Sequence, residues 1–197
     1  MARVNGVRGF SLIEVLLVVA LIATVGAMAI PLVLNTTAQI RLSANARQVE
    51  RELQTARMRA VRSNRAIRVR FNCPTTGQFR MVEVLGTVQT PASDDDDSRA
   101  SVRCSYSSYP YPDNDPEVTA VPNNDGPIRT LQEGVGFGGD VQTVEFWPDG
   151  TAHVSSGGGT PWPVIPDDAS FTVLDVLHSS TIVTSIGVNG LGKITLH

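Results

Sequence analysis

RGFSLIEVLLVVALIATVGAMAIPLVL, residues 8–34, sets the architecture. From Val15 to Leu34 the run is 20 residues long. At ~1.5 Å rise per residue, a helix of that length spans about 30 Å, the depth of a bilayer's hydrocarbon core. Thr24, Gly26 and Pro31 are its interruptions. Arg3 and Arg8 precede it and favour a cytoplasmic N-terminus. Glu14 is the anomaly, a carboxylate at the mouth of an apolar run. A charge in hydrocarbon costs roughly 3 kcal/mol or more, so an acid there calls for a functional reason.

Three readings compete. An ordinary secretory signal is one, since Ala27-Met28-Ala29 supplies an A-x-A site. It predicts a mature N-terminus at Ile30 and a secreted enzyme. Against it, Glu14 lies where the apolar core of a signal should be, and the run exceeds the usual ~7–15 residues of that core. A plain membrane anchor fits the length but leaves Glu14 unexplained.

The third reading covers every feature. A short basic leader ends in Gly9, Phe10 follows, Glu14 stands four residues further on, and Pro31 is the 22nd residue counted from Phe10. This stretch resembles the class III leader of type IV pilins and type II secretion pseudopilins. The resemblance implies that a membrane-embedded prepilin peptidase cuts between Gly9 and Phe10 and N-methylates Phe10. It implies a helix kinked at Pro31. It also gives Glu14 a role in assembly. Cleavage creates an ammonium at Phe10, and Glu14 of an incoming subunit pairs with it, which lowers the desolvation penalty each charge bears alone.

Beyond the apolar run the helical period continues but turns amphipathic. Leu42, Ala46, Val49, Leu53, Ala56 and Ala60 recur at alternating spacings of four and three, a heptad-like stripe suited to lie on a sheet. The expected organisation is a leader at 1–9, a transmembrane half-helix at 10–34, an amphipathic half at 35–64 and a β-rich domain at 65–197. Charge divides along the same line. Formal net charge is −3. Arg41 to Arg70 holds nine basic residues and two acidic ones, 9 − 2 = +7, whereas Phe71 onward holds five basic and 16 acidic, 5 − 16 = −11. Clustered arginine can mark a phosphate-binding face. An acidic domain next to it would repel DNA, so a solvated helix face with acidic neighbours is the preferred reading.

After Ser63 the period shortens to two. AIRVRF (66–71), FRMVEVL (79–85), VQTVEFW (141–147), TAHV (151–154), FTVLDVL (171–177), STIVTSIGV (180–188) and KITLH (193–197) read as strands. Pro-Asp-Gly at 148–150 and Asn-Gly-Leu-Gly at 189–192 read as turns. A long polar interval at about 87–127 carries the acidic run Asp94–Asp97 and reads as loop, with one short strand near Cys104. Cys73 and Cys104 are the two cysteines. They read as one disulfide in an oxidising compartment, pinning that loop to the sheet, or as two buried thiols in a reducing one. The fold class is α+β: a long N-terminal transmembrane helix packed on an antiparallel, two-sheet, pilin-like domain.

A second resemblance is looser. Ala56, Arg57, Ala60 and Asn64 fit the AR-x-x-A-x-x-x-N passage of the H-type minor pseudopilins and their pilus relatives, the GspH/FimT group. Phe146 to Gly150 and the stretch from Ile186 to Leu196 also fit that group's turn and closing strands. The acidic 94–97 insertion departs from its pattern.

Other chemistry finds little footing. GVGFGG, 134–139, matches G-x-G-x-x-G without a strand-helix context and reads as a flexible β loop. Asp94 to Asp97, with Asp113, Asp115 and Glu117, lack the spacing of a calcium loop. His153, His178 and His197 suggest neither a triad nor a metal site. No catalytic residue, metal or cofactor is expected. The resemblance implies a structural minor pilin or pseudopilin of a type II secretion pseudopilus or type IV pilus. It would sit single-pass in the bacterial inner membrane with a periplasmic C-terminal domain. Its implied partners are other pilin or pseudopilin subunits, prepilin peptidase and inner-membrane lipid. A DNA-binding minor pilin is the alternative, and Arg80, Arg99, Arg103, Arg129 and Lys193 are the β-domain cations open to it.

Overall fold

The computed structural model describes residues 11–85, 88, 104, 125–138, 143–155, 161–166, 169–175 as backbone, and 183–197. One helix, α1, runs from Leu12 to Ser63, 52 residues, and passes through Pro31. The Pro31 nitrogen carries no hydrogen, so it cannot donate to the carbonyl of Ala27. The helix stops at Asn64, which takes a left-handed φ of 54°. The Arg65 N–H then donates back to the Ala60 carbonyl at 3.3 Å, closing a Schellman-type cap. Asn is among the few residues that accept this conformation cheaply.

The chain divides into two units, one ending at Gln39 and one starting at Ile40. In the second, nine strands follow the helix among the described residues: β1 Ile67–Phe71, β2 Gln78–Glu83, β3 Arg129–Thr130, β4 Val135–Gly138, β5 Val144–Phe146, β6 Ala152–Val154, β7 Ala169–Asp175, β8 Val183–Val188 and β9 Ile194–Leu196. They form a five-stranded sheet ordered β3-β2-β1-β5-β6 and a four-stranded sheet ordered β4-β7-β8-β9. All pairings are antiparallel. The α+β architecture expected of the sequence is present.

The helical stripe Leu42, Ala46, Val49, Leu53, Ala56 and Ala60 is fully buried. It packs with Ile67, Val69, Phe79, Met81, Val144 and Phe146 of the first sheet and Phe137, Ile186 and Val188 of the second. Three of the six stripe residues are alanine, which lets backbone and sheet approach closely. Burial of this apolar area, at about 25 cal/mol per Å², is the main force fixing the helix on the sheets.

Two strands depart from the sequence reading. GVGFGG is not a flexible loop: Val135–Gly138 pairs with β7, Phe137 opposite Val173. Glycine hides the alternation that normally marks a strand, but Phe137 supplies the anchor. Its ring lies 5.0 Å from Phe71 and 5.7 Å from Phe79, both edge-on. β3 is two residues long and carries no readable period. Most of the 87–127 interval lies outside the described residues, and Cys104, which is described, is helical rather than part of the short strand expected there.

Candidate assembly site

In the first unit, Glu14 lies in the first turn of α1. Its N–H and that of Val15 reach the Ser11 carbonyl at 3.0 and 3.3 Å. An anion there faces the unpaired N–H groups and positive end of the helix. The apolar side chains behind it stand exposed: Leu12 at 77%, Met28 at 80% and Leu32 at 69%. The helix is long and apolar enough to cross a membrane. Its threonines are consistent with that. Thr24, Thr36 and Thr37 each donate their hydroxyl to the carbonyl of Leu21, Leu32 and Val33 at 2.8–2.9 Å. Hydroxyls returned to the helix in this way need no water. Gly9 and Phe10 lie outside the described residues.

In the second unit the structure joins Cys73 to Cys104 by a disulfide, with Cα atoms 5.1 Å apart. Cys73 follows β1 in the turn to β2, where Asn72 takes φ 50° and accepts the Gly77 N–H at 3.1 Å. Residues 125 and 126 are tied to β2. The Asp125 carboxylate accepts the Glu83 N–H at 2.7 Å, and the Gly126 N–H donates to the Met81 carbonyl at 2.9 Å.

Arg57 ties the helix to both sheets. Its Nε donates to the Gly150 carbonyl at 3.1 Å, in the β5–β6 turn. Its terminal nitrogen donates to the Leu191 carbonyl at 2.9 Å, in the β8–β9 turn. Gly150 and Gly192 take φ of 85° and 71°. A Cβ on Gly192 would meet the Gly150 carbonyl oxygen at 2.5 Å and Arg57 Nε at 2.7 Å. The two turns therefore close on one guanidinium, and glycine is required where they meet. The sequence reading picked out Arg57 and Gly150 as motif positions without giving either a role.

The opposite face of the first sheet is polar yet buried. Pleating sends Ile67 and Val69 to the helix and Arg68 and Arg70 the other way. Arg68 and Arg70 are 1% and 2% exposed, so this part of the arginine run is buried rather than solvated, and Arg68 meets the kind of acidic neighbour expected for the run. Arg68 Nε bonds Glu145 on β5, while its guanidinium lies 4.0 Å over the Trp162 ring. Glu145 also accepts the Trp147 indole N–H at 2.6 Å. Trp147 stacks on His153 with ring centroids 3.8 Å apart. His153 Nδ1 lies 2.9 Å from the Trp162 carbonyl, which only accepts, so Nδ1 carries the proton. His153 is thus a satisfied core residue. At the rim, the Thr151 hydroxyl, then its N–H, hold the Asp149 carboxyl below its ordinary range. Burial opposes this, and His153 adds a lesser lowering effect.

Two of the β-domain cations open to nucleic acid are otherwise engaged. Arg80 is buried and donates to the Gly126 carbonyl at 2.9 Å. Arg129 pairs with Glu52 of the helix at 2.8 Å. Arg99 and Arg103 lie outside the described residues. Among the described residues no group of acidic, histidine or cysteine side chains has the arrangement of a metal site.

These elements define an exposed apolar helix that continues into an antiparallel α+β unit clasped by one arginine. Residues 4–30 match the family described as "Prokaryotic N-terminal methylation motif", a match that includes most of the apolar run. In the solved structures it is similar to the type IV minor pilin FimU of Pseudomonas aeruginosa. That match has 15% identity and a TM-score of 0.46, over 82% of this chain and 92% of that one. No curated protein sequence matches the chain.

Proposed function

We propose that the protein is a structural minor pilin or pseudopilin. It is cleaved between Gly9 and Phe10, N-methylated at Phe10, and built from the bacterial inner membrane into a type II secretion pseudopilus or a type IV pilus. The observation that carries this reading is a coincidence of position. The methylation motif at 4–30 overlies an exposed apolar helix with one acid, Glu14, in its first turn. Its work is assembly and not catalysis. The new Phe10 ammonium and the Glu14 carboxylate of its own or a neighbouring subunit neutralise each other at the membrane edge, and the apolar helix enters the fibre. The β domain lies in the periplasm and contacts other subunits.

Glu14→Ala tests it. The variant should be cleaved normally yet fall at least about tenfold in sheared fibres, the loss expected when a buried charge is left without its partner. Wild-type abundance in the fibre fraction would remove the pairing role.

A further inference from the structure

The turn between β8 and β9 carries an Asn-Gly step, Asn189–Gly190. Both residues are half-buried, so water reaches them. Hydrogen bonds fix the backbone around the step. The Asn189 N–H donates to the Lys193 carbonyl at 3.1 Å, and the Gly192 N–H to the Asn189 carbonyl at 2.8 Å. The Gly190 carbonyl accepts the Ala152 N–H at 3.0 Å. The Asn189 side chain is oriented as well. Its Oδ1 accepts the Lys193 N–H at 2.9 Å. An N–H only donates, so the carboxamide oxygen and not its nitrogen faces Lys193. The Gly190 N–H, in contrast, donates to no group among the described residues.

Packing fixes glycine at 190. A Cβ there would stand 2.5 Å from the Ile165 carbonyl oxygen and 2.8 Å from Val164 Cγ1, so no larger residue fits this close approach of chain to chain. That demand has a chemical consequence. A Cβ shields a residue's own amide nitrogen from the side chain before it, and glycine gives no such shield. The Gly190 nitrogen is left bare beside the Asn189 carboxamide, one bond from closing a five-membered ring. The Lys193 N–H supplies the complementary half. By donating to Oδ1 it polarises the Cγ carbonyl, and it already stands where negative charge gathers when Cγ is attacked.

We propose that Asn189 is a self-modification site, converted to aspartate and isoaspartate in the folded chain. The Gly190 nitrogen gives its proton to water and bonds to Asn189 Cγ. The Cγ–Nδ2 bond then breaks, and the nitrogen takes a proton from water and leaves as ammonia. Water opens the resulting succinimide at either carbonyl. Addition at Cγ breaks the new bond and leaves aspartate. Addition at the backbone carbonyl breaks the original peptide bond and leaves isoaspartate. One water is consumed, one ammonia is released and nothing is oxidised or reduced. The products differ in consequence. Aspartate keeps an oxygen for the Lys193 N–H. Isoaspartate routes the main chain through Cβ and Cγ, adding a methylene before Gly190. That displaces the Gly190 and Leu191 carbonyls, which hold Ala152 and Arg57. The arginine clasp between helix and sheets therefore loosens as the chain ages. Nothing in this chemistry depends on the fibre-subunit reading.

The test holds the full chain, folded in detergent at neutral pH, through a time course. Peptide mapping with electron-transfer fragmentation separates aspartate from isoaspartate. The peptide with residue 189 should gain the mass of an NH2-to-OH exchange, ahead of every other asparagine after the leader. Its rate should be no lower than in the same chain unfolded in urea, a comparison that needs no variant. Lys193→Pro, which lacks the N–H, should slow conversion about tenfold, a modest share of what a donor aimed at an oxyanion gives an enzyme. Lys193→Ala keeps the N–H and should convert at the wild-type rate. The isoaspartyl chain, separated by chromatography, should melt below the Asn189→Asp chain. An Asn189 that persists in the folded chain while it converts in urea overturns the proposal, because the fold then protects the site. So does a rate indifferent to Lys193→Pro, or an isoaspartyl chain that melts with the aspartyl one.

Discussion

Arg68 shows how a charged side chain becomes part of a core. It stands on β1 between two residues that face the helix, so alternation sends it to the other side of the sheet. There Glu145 and the Trp162 ring enclose it. Replacing it with alanine leaves Glu145 buried without its cation, and breaking such a pair costs about 3–5 kcal/mol. Arg68→Ala should lose that much in urea denaturation of the full chain; a loss below about 1 kcal/mol, the range of surface pairs, would show that the pair is solvated. Asp149 offers a pH readout at the rim of the same cluster. Its folded pKa is depressed by Thr151. Its contribution to stability is therefore full above the ordinary aspartate value of about 3.9 and disappears as pH falls through the folded value. Asp149→Asn should flatten the acid limb of the stability profile below that point. Superimposable acid limbs would deny Asp149 any folded-state partner.

At the scale of elements, the helix and most strands are legible because their periods are strong. The four-and-three stripe of α1 reappears residue for residue as the buried face. β1, β5, β6, β8 and β9 fall inside stretches read as strands, β2 starts one residue before its stretch, and the 189–192 turn joins β8 to β9. What escapes is what depends on distant chain. Ile-Arg-Val-Arg-Phe reads as an alternating strand, but nothing local says that Trp162 will lie over Arg68. β4 escapes because two of its four residues are glycine, so packing of Phe137 and not alternation defines it. Arg57 is visible as a motif position, but its partners are 93 and 134 residues away. The clasp makes a sharp demand on Gly192, where a side chain meets both a positive φ and the Gly150 carbonyl. Gly192→Ala should destabilise the chain by about 1–3 kcal/mol, the usual penalty of holding a non-glycine residue in strained backbone. Thermal denaturation measures this, and an unchanged midpoint would mean that the turn shifts freely.

At the scale of the whole molecule, the sequence separates an apolar segment from an amphipathic one, and the structure separates a unit ending at Gln39 from one starting at Ile40. The second unit buries its own core and needs no lipid to do so. The first exposes apolar side chains along its length and offers them to a membrane or to other helices. In the proposed function, proteolysis converts one situation into the other by creating a cation beside Glu14. The intact mass of the protein purified from its native membrane tests that claim most directly. The account predicts a chain that begins at Phe10 and carries one additional methyl group. An intact Met1, or a chain that begins at Ile30, would contradict it.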